Sequence, residues 1–344
     1  MKRAAVLSVL GGLALATVLV LHFGVSEVVA ALRAAGLFGL LAITAIHLAW
    51  MAVMGIAWWV IAGGRSAAAG PAVFVWGRVV RDSASEVLPL SQVGGYVLGA
   101  RAVVLHGLSA NVSAATTIVD ITLELCGQLG YIALGLVLLV ELRPGARLTL
   151  PVLIGLGIAL FAVAGFVATQ RRGATLLDRL TARLARDWLA ALSAGAGAVQ
   201  AEIHKAYARR FGVALCFLLH LVAWIGTATE AWLALHLMGV PLGFGPVLVI
   251  ESLLYAIRSV AFAVPNAFGV QEGAYIMLGA GFGLTPDLAL ALSLLKRGRD
   301  LLIGIPALLV WQLVETRRFL ETKQPAVAPV VAQEPAEPTI RVVD

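Results

Sequence analysis

Eight carboxylates (Asp82, Glu86, Asp120, Glu124, Glu230, Glu251, Glu272 and Asp300) and seven cations (Arg78, Arg81, Arg101, Arg258, Lys296, Arg297 and Arg299) sit in stretches apolar enough to enter lipid. An ionisable side chain there costs several kcal/mol unless it is paired or hydrated. The spacing is ordered. Ser113, Thr117, Asp120, Glu124 and Gln128 follow steps of four, three, four and four, which is one face of a helix. His220, Thr227 and Glu230 form a shorter stripe of the same kind, and Glu251 and Arg258 share a face seven residues apart. The run "LLKRGRDLL" places Lys296, Arg297, Arg299 and Asp300 inside an otherwise apolar helix. Such residues can hold helices together, bind the polar part of a substrate, or act as paired acid and base. Any single pair reads most simply as helix–helix glue. Together they exceed what glue requires and point to a hydrated cavity or groove for a polar headgroup.

Other chemistry has little support. No G-x-x-x-x-G-K-[ST] phosphate loop, G-x-S-x-G elbow or zinc-protease helix motif is present. Cys126 and Cys216 lie in apolar runs without metal or disulfide spacing, and His47 and His220 read as isolated from any ligand set. Neither a metal nor a cofactor is expected.

The elements that must position these residues are membrane helices. The 344 residues are 60% hydrophobic and only 13% charged, with a mean hydropathy of +0.95. A soluble domain is roughly half apolar and about a quarter charged. Unbroken spans are predicted near 4–22, 37–62, 112–140, 149–169, 211–237 and 286–313, the first kept as an anchor rather than a cleaved leader. Two further stretches, near 71–108 and 245–283, are interrupted by charge, proline and glycine. The predicted membrane domain covers 1–314, with half-repeat cores near 71–140 and 245–313; the proline-rich segment 315–344 is expected to be a disordered tail. The net charge of +6 reflects basic residues beside the spans, which argues for orientation in a membrane and against nucleic acid. Lys2, Arg3, Arg65, the basic 170–210 loop, Arg317, Arg318 and Lys323 fall on one side, against Arg33, Arg143 and Arg147 on the other. The positive-inside pattern then predicts both termini in the cytoplasm. Leu177, Leu180, Leu184 and Trp188 recur at helical spacing, so an amphipathic helix is expected near 174–205, lying on the inner leaflet or packed on the bundle.

The interrupted stretches look duplicated. At an offset of 176 (265 minus 89), Pro89 falls on Pro265, Gly107 on Gly283, Asn111 on Asp287 and Glu124 on Asp300. Three unbroken spans separate the copies, so they would have opposite orientations. The expected fold is an all-α polytopic transmembrane bundle with two interrupted or re-entrant elements in an inverted repeat. Pro89 and Pro265 lack the backbone donor of a helix ladder and mark the breaks, aided by Gly94, Gly95 and Gly269.

"LPLSQVGGYVLGAR" followed by the Asp120/Glu124 helix, and "VPNAFGVQEGAYIMLGAGFGLTP" followed by "LSLLKRGRDLLIGIPALLVWQ", resemble the flippase-like membrane domain of lysylphosphatidylglycerol synthetases. The resemblance extends to about Glu315 and is nearer to stand-alone members associated with hopanoid biosynthesis, the HpnL type. It implies handling of a lipid between leaflets or membranes, with hopanoids as cargo and hopanoid biosynthesis or export proteins as partners. Aminoacyl transfer belongs to a separate soluble domain in the two-domain synthetases and is not carried over. Arg101 and Arg258 are expected to contact the headgroup, with Glu272 and Asp120 as acidic partners. Arg78, Arg81, Glu86, Glu124, Glu230, Lys296, Arg299 and Asp300 complete the expected site. The competing readings are a membrane-embedded enzyme modifying a headgroup, and a scaffold for hopanoid enzymes.

Overall fold

The computed structural model describes residues 25–63, 69–88, 91–145, 149–184, 188–261, 264 and 267–323, and among them every regular element is helical. Lipid offers no hydrogen-bond partners, so a chain this apolar closes its peptide groups within helices. In chain order these are α1 (Val25–Ala62), α2 (Pro71–Val87), α3 (Ser91–Leu105), α4 (Ala110–Leu142), α5 (Thr149–Leu184), α6 (Trp188–Ala208), α7 (Arg210–Leu237), α8 (Phe244–Val260), α9 (Val270–Ala280) and α10 (Pro286–Lys323). Leu32–Ala62, Ala110–Leu142, Leu150–Ala168 and Arg210–Leu237 are long and apolar enough to cross a bilayer. They coincide with four predicted spans; the one near 4–22 lies outside the described residues. The last predicted span is the first part of α10, which carries Lys296, Arg297, Arg299 and Asp300. Phe38, Phe161, Phe211 and Val260 expose 73, 82, 81 and 83% of their surface. Such an apolar exterior is unfavourable in water and suits contact with acyl chains.

Both interrupted stretches fold back as antiparallel hairpins. α2 and α3 have 17 and 15 residues, α8 and α9 have 17 and 11. At about 1.5 Å per residue they reach roughly 25, 22, 25 and 16 Å, short of a ~30 Å hydrocarbon core. In the first hairpin, Gly95 abuts Arg81 and Ser85, Gly99 abuts Gly77 and Arg81, and Gly77 abuts Val103, an antiparallel register in steps of one helical turn. A Cβ on Gly95 would meet the Arg81 carbonyl oxygen at 2.5 Å, and one on Gly99 would meet that of Gly77 at 2.8 Å. This corrects the expected role of Gly94 and Gly95: both lie inside α3 rather than at a break. Small residues let two helices approach backbone to backbone, as membrane packing favours. In the second hairpin Arg258 reaches Gln271 and Glu251 reaches Tyr275. Gly269, at φ +77°, enters α9 through a conformation other residues avoid. Pro89 and Pro265 lie outside the described residues.

The hairpins open on opposite faces of the bundle. Arg318 of α10 donates to the Leu105 carbonyl at the end of α3, and Arg209, beside α7, donates to Val60 near the end of α1. Ala62, Ala69, Leu108 and Ala206 share one hydrophobic cluster on that face. On the other face Arg143, after α4, lies 5.6 Å from the Phe282 ring after α9. The first hairpin therefore opens toward the end of α10 and the second toward its start.

Two boundaries differ from expectation. Over the predicted 174–205 helix, α5 runs from its span through Leu184 and α6 begins at Trp188, with 185–187 outside the described residues. Residues 170–184 contain no proline to interrupt the ladder. Likewise α10 continues to Lys323, so 315–323 are helical rather than disordered. The next proline is Pro325, and a residue preceding proline disfavours helix.

Candidate functional site

The stripe predicted on α4 faces the first hairpin. Ser113 Oγ donates to the Ala100 carbonyl at 2.9 Å. Two turns and three turns further, Asp120 and Glu124 accept from two arginines of α2. Arg78 Nη2 donates to Glu124 Oε1 at 2.8 Å, and its Nε donates to Asp82 at 2.7 Å. Arg81 Nη1 donates to Asp120 Oδ2 at 2.9 Å, and its Nη2 bonds Glu124 Oε2. The Arg81 guanidinium also lies 4.3 Å over the Tyr96 ring of α3. The other oxygen of Asp120 faces His220 Nε2 of α7 at 2.9 Å. Arg78, Arg81, Asp120, Glu124 and His220 are all buried.

A second group forms around the end of α7. Glu230 bonds Arg299 of α10 through Oε2 and faces His47 Nδ1 of α1 at 2.9 Å through Oε1. Arg299 also donates to Asp300 at 2.7 Å. One turn back on α10, Lys296 Nζ donates to Glu251 Oε2 of α8 at 2.6 Å and to the Tyr275 hydroxyl at 3.0 Å; that hydroxyl donates to Glu251 Oε1 at 2.5 Å.

Between the groups the ends of the hairpin arms meet. Arg258, near the end of α8, donates to Glu86, near the end of α2, at 3.0 Å. Its other arm donates to Gln271 Oε1 at 3.1 Å. From there Gln271 Nε2 donates to Ser293 Oγ, and Ser293 Oγ to Glu272 Oε1, each at 2.9 Å. Glu272 accepts from Arg297 at 2.7 Å and from the Gly269 backbone N–H at 2.8 Å, which caps α9. The Arg258–Glu86 contact is partly exposed, with side chains 18% and 28% accessible. A ligand can therefore compete for it without dismantling the buried core. The tip of the first hairpin also leans on α10, where Val87 abuts Gly304 near the middle of that helix.

Of the residues expected at the site, Arg78, Arg81, Asp120 and Glu124 come together in the first group, and Glu230, Lys296, Arg299 and Asp300 in the second. Glu86, Arg258 and Glu272 line the junction between them. Arg101 does not join: it is 47% exposed and pairs with Glu315 of α10 at 2.9 Å. Helical spacing places it on α3 but cannot show that α3 turns this position outward. Glu251 and Arg258 share a side of α8 yet pair with different partners. Spacing placed His220 in a polar stripe without naming its partner, and it missed His47. Each sits on a carboxylate from another helix, a contact that the reading of both as isolated from any ligand set did not include. Asp120, Cys216 and His220 offer ligand atoms within 4.8 Å of one another. Asp120 already engages Arg81 and His220, however, and a cation would meet the guanidinium beside it, so hydrogen bonding accounts for this trio.

Comparison with curated proteins and with solved structures finds no match. The family model described as the lysylphosphatidylglycerol synthase TM region matches residues 5–307, most of the chain and all of the charged site. The chain belongs to the lysylphosphatidylglycerol synthase transmembrane-region family.

Proposed function

We propose that the protein translocates a lipid between leaflets, its polar headgroup passing the junction of the two hairpins while its apolar part stays in the bilayer. The observation that carries this reading is the partly exposed Arg258–Glu86 contact between hairpins that enter from opposite faces. Half-length elements meeting inside a bundle leave polar backbone and side chains that need protein or water, and transporter substrate sites form at such places. The two hairpins are read as an inverted repeat and the cargo as a hopanoid. Hopanoid biosynthesis or export proteins are the expected partners, and no catalytic step is assigned. Arg209, Arg210, Arg317 and Arg318 cluster at the face where the first hairpin opens, which supports a cytoplasmic face there in a bacterial inner membrane.

The test is reconstitution of the full chain in vesicles carrying a fluorescent hopanoid or phospholipid in both leaflets, with an impermeant quencher outside and lipid analysis by mass spectrometry. The wild type is expected to move the chemically unchanged lipid at least about tenfold faster than Arg258→Gln, a loss of roughly 1.4 kcal/mol in barrier lowering. Equal rates in protein-free and protein-containing vesicles overturn translocation. A new lipid product supports the enzyme reading instead.

A further inference from the structure

Six buried or half-buried cations in the site (Arg78, Arg81, Arg258, Lys296, Arg297, Arg299) pair among the described residues with eight carboxylates (Asp82, Glu86, Asp120, Glu124, Glu230, Glu251, Glu272, Asp300). Six positive against eight negative charges is an excess of two negative charges among the described residues. The excess divides evenly. Around Asp120, Arg78 and Arg81 face Asp82, Asp120 and Glu124; around Glu230, Lys296 and Arg299 face Glu230, Glu251 and Asp300. Counted by these ion pairs each group is one positive charge short, with Arg258 of the junction also acting on Asp300, and each has one histidine on a central carboxylate.

We propose that His220 and His47 are proton-binding sites, one in each group, and that their protonation drives the lipid movement. The coupling part rests on the translocation reading; proton binding does not. Asp120 accepts from Arg81, so it is an ionised acceptor, and His220 Nε2 must carry the hydrogen that faces it. Nδ1 of the same ring is buried with no partner among the described residues and keeps its lone pair. A proton arriving from water bonds to that lone pair; the ring becomes imidazolium, its Nε2–H bond to Asp120 becomes charge-assisted, and the group reaches neutrality. The same logic holds for His47. Glu230 is engaged by Arg299, so His47 Nδ1–H donates to it and Nε2 takes the proton.

Imidazole is the side chain whose charge changes near neutral pH, and an uncompensated charge in a membrane interior is costly, so proton and network favour each other. The charged and titratable groups around His220 are Asp120 and Glu124 from α4, Arg78 and Arg81 from α2, and Cys216 on its own helix. Those around His47 are Glu230 from α7, with Lys296, Arg299 and Asp300 from α10. His47 is 21% exposed and His220 is fully enclosed. α7 connects them: His220 and Glu230 lie ten residues apart on it, roughly 15 Å along the axis.

The deciding experiment uses full-length protein in nanodiscs, with ¹⁵N-histidine NMR and back-titration of bound protons between pH 5 and pH 8. The chain has six histidines, so the readout is the difference from the wild type: His220→Gln and His47→Gln are each expected to bind one proton fewer over this range. Because His220→Gln also changes a fully buried side chain, Asp120→Asn serves as the companion variant. It keeps the shape while removing the negative charge, and is expected to weaken proton binding at His220. His220 and His47 signals, assigned by their loss in the two variants, that do not change across this range overturn the proposal. In vesicles, an imposed pH gradient is then expected to accelerate lipid movement several-fold in the wild type and not in the two histidine variants. Movement equal with and without a gradient overturns coupling while leaving translocation intact. No movement in either condition overturns translocation, and coupling with it, whatever the NMR shows.

Discussion

Asp120 holds Arg81 through one oxygen and His220 through the other, and it is fully buried. Removing one member of a buried ion pair leaves the partner's charge uncompensated, so Asp120→Ala is expected to destabilise the protein by about 3–5 kcal/mol. Arg101 and Glu315 make a pair of similar length at the exposed end of α3, where water screens both. Arg101→Ala is expected to change stability by about 1 kcal/mol or less. Thermal unfolding of both variants in the same detergent checks the contrast; equal losses would mean that the α2–α4 network is not an energetic unit. The carboxylate positions were legible in the sequence because a charge in an apolar run stands out. The histidines were not, because their partners lie 100 and 183 positions away on other helices.

At the scale of elements, the first hairpin depends on the absence of side chains. Gly95 faces the Arg81 carbonyl so closely that a Cβ would force α2 and α3 apart. Gly95→Leu is expected to cost about 1–3 kcal/mol and to move Arg81 away from Asp120 and Glu124. Gly157 of α5 has nothing within 4 Å of the same position, so Gly157→Ala there is expected to be neutral or to stabilise by up to about 1 kcal/mol. Unfolding midpoints in lipid discs distinguish these outcomes, and a tolerated Gly95→Leu would show that the α2–α3 approach is not tight. Paired glycines in a sequence read as breakers as readily as they read as a packing seam. The choice depends on whether a second helix lies against them, which local pattern does not contain.

For the whole molecule, the decisive contact is Arg258 with Glu86, which joins residues 172 positions apart and links the two hairpins. A double-mutant cycle with Glu86→Gln and Arg258→Gln is expected to return a coupling of about 0.5–3 kcal/mol. Additive effects would place the two side chains in separate environments. The charge-exchanged pair, Glu86→Arg with Arg258→Glu, should recover part of the lipid movement lost in either single change, as a flipping assay would read.

Hydropathy, charge spacing and the positions of proline and glycine were enough to establish from sequence alone an all-helical membrane bundle, four of its spans and the two interrupted stretches. These are local properties: a helix in lipid closes its own hydrogen bonds, so its extent follows from the residues within it. The partnerships were decided only by the tertiary structure. Which carboxylate meets which arginine, that Arg101 faces outward, that Gly94 and Gly95 are helical, and that each histidine seats on an acid all depend on packing between distant segments. A buried charge makes a partner necessary without naming it, and the same stripe on α4 would serve any helix that the fold placed opposite.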